Sequence, residues 1–190
     1  ELSGKGITLI DAPLSRTPKD AAAGNLDVMV GGDDKVVARA RPVIDCFAGR
    51  VVHTGPTGSG HAMKLLNNFV AMGYAAIYSE ALAFAGKAGL TPQVFDAVIR
   101  DGRMDCPFYR TFFKYVLERD RDAHKFALRN ALKDMNYLAA FALATDVANP
   151  LQAATRNSFA AAVGKGRGDD YVPMLSDIIA ELNGLKPAAG

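Results

Sequence analysis

Residues 61 to 86 form a run without proline that is rich in alanine, leucine and methionine. The run predicts one long helix, and its apolar residues occur around most of the helix circumference. A helix of this kind is buried on more than one side. One small domain does not supply enough partner surface, so we expect the helix to be shared between subunits of a homodimer or homotetramer.

The first fifty-odd residues show a different pattern. Three short apolar or β-branched runs, each closed by turn residues, are predicted as strands: GITLIDAP, LDVMVGGD and RVVHT. Apolar residues at helical spacing lie between the second and third runs, although Pro42 predicts a break in that helix. Three strands and one helix do not cover both faces of a sheet, so we expect them to be the last strands of a larger α/β domain.

From residue 60 onward the sequence predicts helices and no strand. One of them is marked by Thr91 followed by Pro92, which is typical of an N-cap and first helical position. The predicted fold class is therefore mainly α: an all-helical C-terminal domain with one long interdomain helix, preceded by the last strands of an incomplete α/β domain. The predicted boundaries are 1–57 for the α/β remnant, 58–184 for the helical domain and 185–190 for a tail.

Charge and composition argue against several classes of partner. The chain of 190 residues has a net charge of +2, which gives no reason to expect nucleic acid or an anionic membrane as partner. No apolar run approaches the length needed to span a bilayer, and the first ten residues do not resemble a signal peptide, so a cytoplasmic protein is expected. Cys46 and Cys106 are expected to be free thiols, and neither they nor the three histidines have metal-ligand spacing.

The glycine-rich segment before the long helix does not match a phosphate loop. Gly55 and Gly60 have the spacing of that loop, but His61 follows where a lysine is required. Met63 stands where the dinucleotide fingerprint has its third glycine. Both phosphate-binding interpretations therefore fail on the residues themselves.

Lys64 is the more informative residue of this segment. Lys64 and Asn68 lie four residues apart and project from the same face of the predicted helix, with Asn67 beside them. The surrounding residues are mostly apolar, so the lysine either extends its ammonium to water or lies buried beside a polar cavity. Burial would suit it to acid–base catalysis, because desolvation favours the neutral amine. The spacing leaves both alternatives open.

Four segments resemble, in the same order, segments of the β-hydroxyacid dehydrogenase family. They are DAPLS at 11–15, GSGHAMKLLNN at 58–68, FALRNALKDM at 126–135 and GKGRGDDYVPML at 164–175. The family includes 3-hydroxyisobutyrate dehydrogenase, tartronate semialdehyde reductase and 6-phosphogluconate dehydrogenase. The resemblance implies a Rossmann-type nucleotide-binding domain followed by an all-helical domain. Because the family's N-terminal Gly-x-Gly-x-x-Gly is not found, we expect the C-terminal part of such an enzyme, inactive by itself.

The resemblance also implies roles for individual residues. Lys64 matches the catalytic lysine that accepts or returns the proton of the substrate hydroxyl. Asn68 matches the asparagine that holds this lysine and the substrate, and Asn67 shares that role. Ser15 matches the serine that binds the substrate carboxylate. Lys133 matches a lysine on the side of the cofactor, NAD or NADP, which the family binds mainly through the N-terminal domain.

Arg16 departs from the family pattern. Arg16 and Thr17 stand where the family usually has two glycines after the serine. A guanidinium is a forked, permanently charged donor, and the variant resembles the branch that includes sulfolactaldehyde reductase, so Arg16 is expected to bind a substrate carboxylate or sulfonate. The residues alone also allow a surface salt bridge for Arg16, a turn serine at Ser15, and a surface ion pair between Lys133 and Asp134.

The leading hypothesis is an NAD(P)-dependent dehydrogenase or reductase. It would transfer hydride between nicotinamide and a short anionic hydroxy acid or semialdehyde, with Lys64 as general acid and base. The alternative is a non-catalytic helical dimerisation module or a truncated homologue that keeps only the fold. The polar set Ser15, Lys64 and Asn68 favours the enzyme, because a scaffold has no need of all three at these spacings.

Overall fold

The computed structural model describes residues 2–187, which divide into two compact units, one up to Asn67 and one from Asn68 onward. The first unit contains β1 (Leu14–Ser15), α1 (Pro18–Ala22), β2 (Leu26–Gly31), α2 (Asp34–Ile44), β3 (Ala48–Gly55) and the first turns of α3 (Ser59–Lys87). The second unit contains the rest of α3 and helices α4 (Pro92–Ile99), α5 (Pro107–Glu118), α6 (Leu128–Thr145), α7 (Pro150–Gly164) and α8 (Leu175–Leu182). Short 3₁₀ turns lie at Ser3–Lys5 and Val172–Met174.

The first unit is built around β2. This strand is parallel to β3 on one side and antiparallel to the two-residue β1 on the other. Val28 and Val30 are fully buried, because alternate residues of a strand face the same side of the sheet. They form one hydrophobic cluster with Val37 and Ile44 of α2, so the unit has its own core.

The predicted mainly α fold class is wrong. The first unit is an α/β unit in which a mixed sheet and α2 share a hydrophobic core. The prediction missed β1, because two residues carry no alternating pattern. It placed a strand at GITLIDAP, where Asp11 instead makes an isolated bridge to Gly31. The predicted break of α2 does not occur either, since the helix continues through Pro42 to its end at Ile44.

The core of the second unit is aromatic. Tyr109, Phe112 and Phe113 of α5 are buried, and the Tyr78 ring of α3 lies 5.4 to 6.1 Å from the three ring centroids. Phe159 of α7 belongs to the same cluster. The predicted helix start at Thr91 is confirmed: its side chain accepts a hydrogen bond from the backbone N–H of Val94 and Pro92 follows it.

Within residues 2–187, α3 is the one helix long and apolar enough to cross a bilayer by length and composition. Its most apolar window of 18 residues has a mean hydropathy of 1.3, and 44% of that window is buried inside the protein. Core helices of globular proteins meet the same criterion, so these two properties are weak grounds for a membrane span. The prediction that no apolar run approaches a bilayer span nevertheless overlooked α3.

Two glycines allow β2 to approach the start of α3 closely. A Cβ atom on Gly60 would lie 2.5 Å from the carbonyl oxygen of Met29 and 2.8 Å from Asp11 Oδ2. A Cβ atom on Gly31 would lie 2.4 Å from Asp11 Oδ1 and 2.9 Å from the nitrogen of Gly60. Several of these neighbours are backbone atoms, which have no room to move aside, so glycine is required at this contact.

Replacing Gly60 by alanine is therefore expected to lower the free energy of unfolding by about 1–3 kcal/mol, as overpacking does. The matched control is Gly73→Ala in the same helix, where a Cβ atom would meet nothing within 4 Å. That change should raise the free energy of unfolding by up to about 1 kcal/mol through helix propensity. Urea unfolding followed by circular dichroism measures both, and equal effects of the two substitutions would contradict the close approach.

Candidate active site

Asp11 joins the DAPLS segment to the start of α3. The residue is 6% exposed, and its carboxylate accepts hydrogen bonds from the backbone N–H groups of Gly58, at 2.6 Å, and His61, at 2.7 Å. The first N–H groups of a helix have no partner within the helix, and a negative charge is favourable there. The contact fixes a loop four residues before Ser15 to a helix three residues before Lys64.

The pKa of Asp11 is set by opposing effects. Burial raises it, but the backbone hydrogen bonds from Gly58 and His61, together with the charge of the His61 ring, leave the pKa below its ordinary value. The ring nitrogen Nδ1 of His61 lies 3.3 Å from Asp11 Oδ2. The structure therefore pairs His61 with Asp11.

Ser15 and Arg16 lie at the end of β1. Ser15 is half-buried and stands directly opposite Asp27 in the antiparallel pair. Arg16 Nη2 lies 2.9 Å from Asp27 Oδ1, so the salt bridge considered as an alternative is present. Arg16 has a φ of 89°, in the left-handed region that side chains rarely adopt. The chain turns at this residue because Thr17 is already the N-cap of α1, bonded in both directions to Asp20.

The predicted residues of α3 fall in both units. Lys64 is half-buried and Asn67 is exposed, and both belong to the first unit. Asn68 belongs to the second unit, where its amide Nδ2 donates a hydrogen bond of 2.7 Å to Asp134 Oδ2. Asp134, on α6, is only 8% exposed, so this bond lies in a largely dry environment.

Asp134 also holds the predicted cofactor residue. Lys133 Nζ lies 3.2 Å from Asp134 Oδ1 and 5.8 Å from the centre of the Tyr137 ring. The Lys133 side chain is 53% exposed, and an ammonium has three donors, so it is chemically suited to a phosphate or carboxamide oxygen of a dinucleotide. The pair with Asp134 that the sequence allowed as an alternative is present as well.

Sequence reasoning treated Asp134 only as a surface partner of Lys133 and missed its hydrogen bond with Asn68. A signal was available in the sequence. Asp134 falls on the face of α6 that carries the buried residues Ala131 and Leu138. A carboxylate at a core-facing helical position requires polar partners, because burying an unpaired charge is costly.

Two other residues of the segments that resemble the family, and the two cysteines, lie elsewhere in the chain. Phe126 packs against the aromatic core, and Asp169 is paired with Arg129 at 2.5 Å. Cys46 and Cys106 are free thiols, as predicted. Within residues 2–187 no group of three His, Cys, Asp or Glu side chains is arranged to hold a metal ion.

Comparison with known families accounts for both units. Residues 58–176 match the family described as the NAD-binding domain of NADP-dependent 3-hydroxyisobutyrate dehydrogenase. Residues 1–55 match the NAD binding domain of 6-phosphogluconate dehydrogenase. The chain belongs to the β-hydroxyacid dehydrogenase family. Its cofactor is NAD or NADP, as the sequence predicted.

Individual relatives in this β-hydroxyacid dehydrogenase family agree with that assignment. The chain is 34% identical to 3-hydroxyisobutyrate dehydrogenase of Pseudomonas aeruginosa over 163 residues, which cover 83% of this chain and 55% of the relative. It is 30% identical to L-threonate dehydrogenase of Escherichia coli, covering 89% of this chain and 57% of the relative. The solved structure of Mycobacterium tuberculosis 3-hydroxyisobutyrate dehydrogenase with L-serine has a TM-score of 0.84 and 28% identity, over 93% of this chain and 62% of that one. The chain thus spans less than two thirds of each.

The match at residues 1–55 completes the correction of the predicted fold class. The first unit is an NAD-binding α/β segment in its own right, followed by a helical domain. The description of the chain as a C-terminal helical fragment with a few remaining strands was therefore wrong.

Acid titration tests the role of Asp11. Its folded-state pKa lies below the ordinary carboxyl value of about 3.9, so its contribution to stability is complete above that pH and is lost as the pH falls through the folded-state pKa. Asp11→Asn should lower the free energy of unfolding at pH 7 by about 1–3 kcal/mol, because two amides lose a charged acceptor. The loss should shrink as the pH is lowered through that range.

Urea unfolding between pH 3 and pH 7 measures this difference. Asp45→Asn is the matched control, since Asp45 is an exposed carboxylate paired with Arg41 at 2.9 Å in the same unit. If Asp11→Asn had no larger effect than Asp45→Asn at pH 7, Asp11 would not stabilise the start of α3.

Proposed function

We propose that the protein is an NAD(P)-dependent oxidoreductase, similar to 3-hydroxyisobutyrate dehydrogenase, that acts on a short anionic hydroxy acid or semialdehyde. The observation that carries the proposal is the buried Asp11 carboxylate. It ties the segment that carries Ser15 and Arg16 to the first turn of the helix that carries Lys64. Family membership supports the reaction class, and the polar residues at the two ends of this contact support the substrate class.

In this proposal Lys64 is the general acid and base. During oxidation its neutral amine accepts the proton of the substrate hydroxyl while the carbon–hydrogen bond breaks and a carbonyl forms. During reduction its ammonium returns the proton to the carbonyl oxygen. The positive charge also stabilises the negative charge that develops on that oxygen. NAD(P), when bound, accepts or supplies the hydride.

Asn68 accepts a hydrogen bond from the substrate hydroxyl through its amide oxygen, and Asp134 fixes the orientation of that amide. An amide side chain presents one oxygen and one NH₂ group, which exchange places when the side chain flips. Because the Nδ2 group of Asn68 is bound to the Asp134 carboxylate, the Asn68 oxygen is turned away from it. Asp134 therefore decides which group Asn68 presents.

The remaining predicted residues bind the ends of the substrate and cofactor. Ser15 and Arg16 bind the anionic group of the substrate, with Asn67 as a further polar contact. Lys133 binds the cofactor through its exposed ammonium. The helical segment 58–184 serves substrate binding and dimerisation. Exposed Tyr74, Ile77 and Phe84 on α3 support a homodimer or homotetramer, because they leave apolar surface open on that helix.

The decisive experiment uses the intact protein with NADH or NADPH and a panel of short hydroxy acids and semialdehydes. Lys64→Met should lower kcat/KM by about 10²–10⁴-fold on the substrate that wild type turns over, because the proton has no acceptor. Lys87→Met, at the exposed end of the same helix, is the control and should leave the rate unchanged. Nicotinamide absorbance gives the rates, and circular dichroism verifies folding.

Equal rates for Lys64→Met and wild type would remove Lys64 from the chemistry. If wild type turned over no member of the panel and still formed a dimer, the non-catalytic dimerisation module would be the better description.

A further inference from the structure

Asp27 lies where it faces both predicted anion-binding residues of the first unit. In the antiparallel pair of β1 and β2 it stands directly opposite Ser15. Side chains of directly opposed residues lie on the same face of a sheet with Cβ atoms about 4.5–5.5 Å apart. Arg16, the next residue, directs its guanidinium back to the Asp27 carboxylate at 2.9 Å. The hydroxyl, the carboxylate and the guanidinium therefore lie close together.

The ion pair holds Arg16 in a defined position. Asp27 Oδ1 is shielded from solvent and accepts no well-aligned hydrogen bond from any group within residues 2–187. Arg16 Nη2 is thus the positive charge that compensates this oxygen, and a buried carboxylate oxygen without such a charge is costly. If Arg16 moved away, this shielded oxygen of Asp27 would have no compensating charge.

The same pair leaves most of the guanidinium available. An arginine has five N–H donors, and Asp27 is close to one of its two terminal nitrogens. The Arg16 side chain is 37% exposed, so the guanidinium is accessible to a small anion. Its fork geometry matches the two oxygens of a carboxylate or two of a sulfonate.

The backbone of Arg16 points to the same function. The left-handed backbone of Arg16 is strained because it carries a side chain, and glycine would avoid that strain. The strain is held between the end of β1 and the capping box that Thr17 forms with Asp20. Backbone strain that is maintained by rigid neighbouring structure is characteristic of binding sites. Here the rigid neighbours fix the backbone of Arg16, so its side chain starts from a defined position.

We propose that Asp27 is a positioning residue that sets the substrate specificity for acids. It orients the Arg16 guanidinium beside the Ser15 hydroxyl so that both bind one anionic group of the substrate. Asp27 acts only through Arg16 and does not touch the reacting carbon. The inference takes its substrate class from the proposed function. It adds that Asp27 determines whether the site prefers an anionic substrate to a neutral one.

The test compares 3-hydroxyisobutyrate with its neutral methyl ester in the intact protein. Asp27→Asn should raise KM for the acid about tenfold, the equivalent of one charged hydrogen bond, with kcat within about twofold. KM for the ester should stay unchanged, because the ester offers no anion to the guanidinium. A merely structural role for Asp27 would change both substrates equally.

A double-mutant cycle with Arg16→Ala isolates the dependence on Arg16. Asp27→Asn should add no further increase in KM for the acid once Arg16 is alanine. Asp45→Asn is the control for loss of a carboxylate in the same unit and should leave KM for both substrates unchanged. Asp27→Glu, which keeps the charge, should recover part of the affinity for the acid. That recovery would show that the effect of Asp27→Asn comes from loss of the charge and not from misfolding.

Equal effects of Asp27→Asn on acid and ester, or an undiminished effect in the Arg16→Ala background, would overturn the proposal. Calorimetric titration with 3-hydroxyisobutyrate measures binding without turnover, so it distinguishes failure of the positioning role from failure of the proposed function. If wild type binds the acid without turning it over, weaker binding by Asp27→Asn still supports the positioning role and unchanged binding refutes it. Absence of binding by wild type at millimolar concentration refutes the anion subsite itself.

Discussion

The carboxylate of Asp11 reaches a place where a negative charge is strongly favoured, the unpaired amides at the start of α3. Gly58 and His61 donate to it from a position 47 and 50 residues further along the chain. The close approach of β2 and α3 at Gly31 and Gly60 leaves room for this carboxylate and for no additional side chain. Together with the hydrogen bond from Thr57 Oγ1 to the carbonyl oxygen of Leu9, this contact sets the relation of the DAPLS segment to the helix that carries Lys64.

Two further aspartates act on predicted site residues in a comparable way. Asp27 holds Arg16 at the end of β1, and Asp134 holds both Asn68 and Lys133 in the second unit. Asp134 is buried and Asp27 has one shielded carboxylate oxygen, so each needs its partner and restricts that partner's position. Aspartates that hold polar side chains in place thus occur in both units, although the folds of the units differ.

Much of the fold could be predicted from local pattern. The apolar periodicity predicted α3 to α8 and strands β2 and β3, and Thr91 with Pro92 predicted the start of α4. The pattern did not predict β1, which has two residues, and it did not show that β2 has partners on both sides. The fold class was consequently wrong. A strand's partners depend on contacts between distant segments, which periodicity along the chain does not contain.

The sequence by itself determined the family, the cofactor class and the candidate residues, because each motif consists of residues that are close together in the chain. Only the tertiary structure decided which aspartate binds each candidate residue. Asn68 and Asp134 are 66 residues apart, and nothing in either segment indicates that they share a hydrogen bond. Arg16 and Asp27 are likewise joined by strand register rather than by a motif. Hydrogen bonds and ion pairs form between neighbours in space, and those neighbours exist only once the chain has folded.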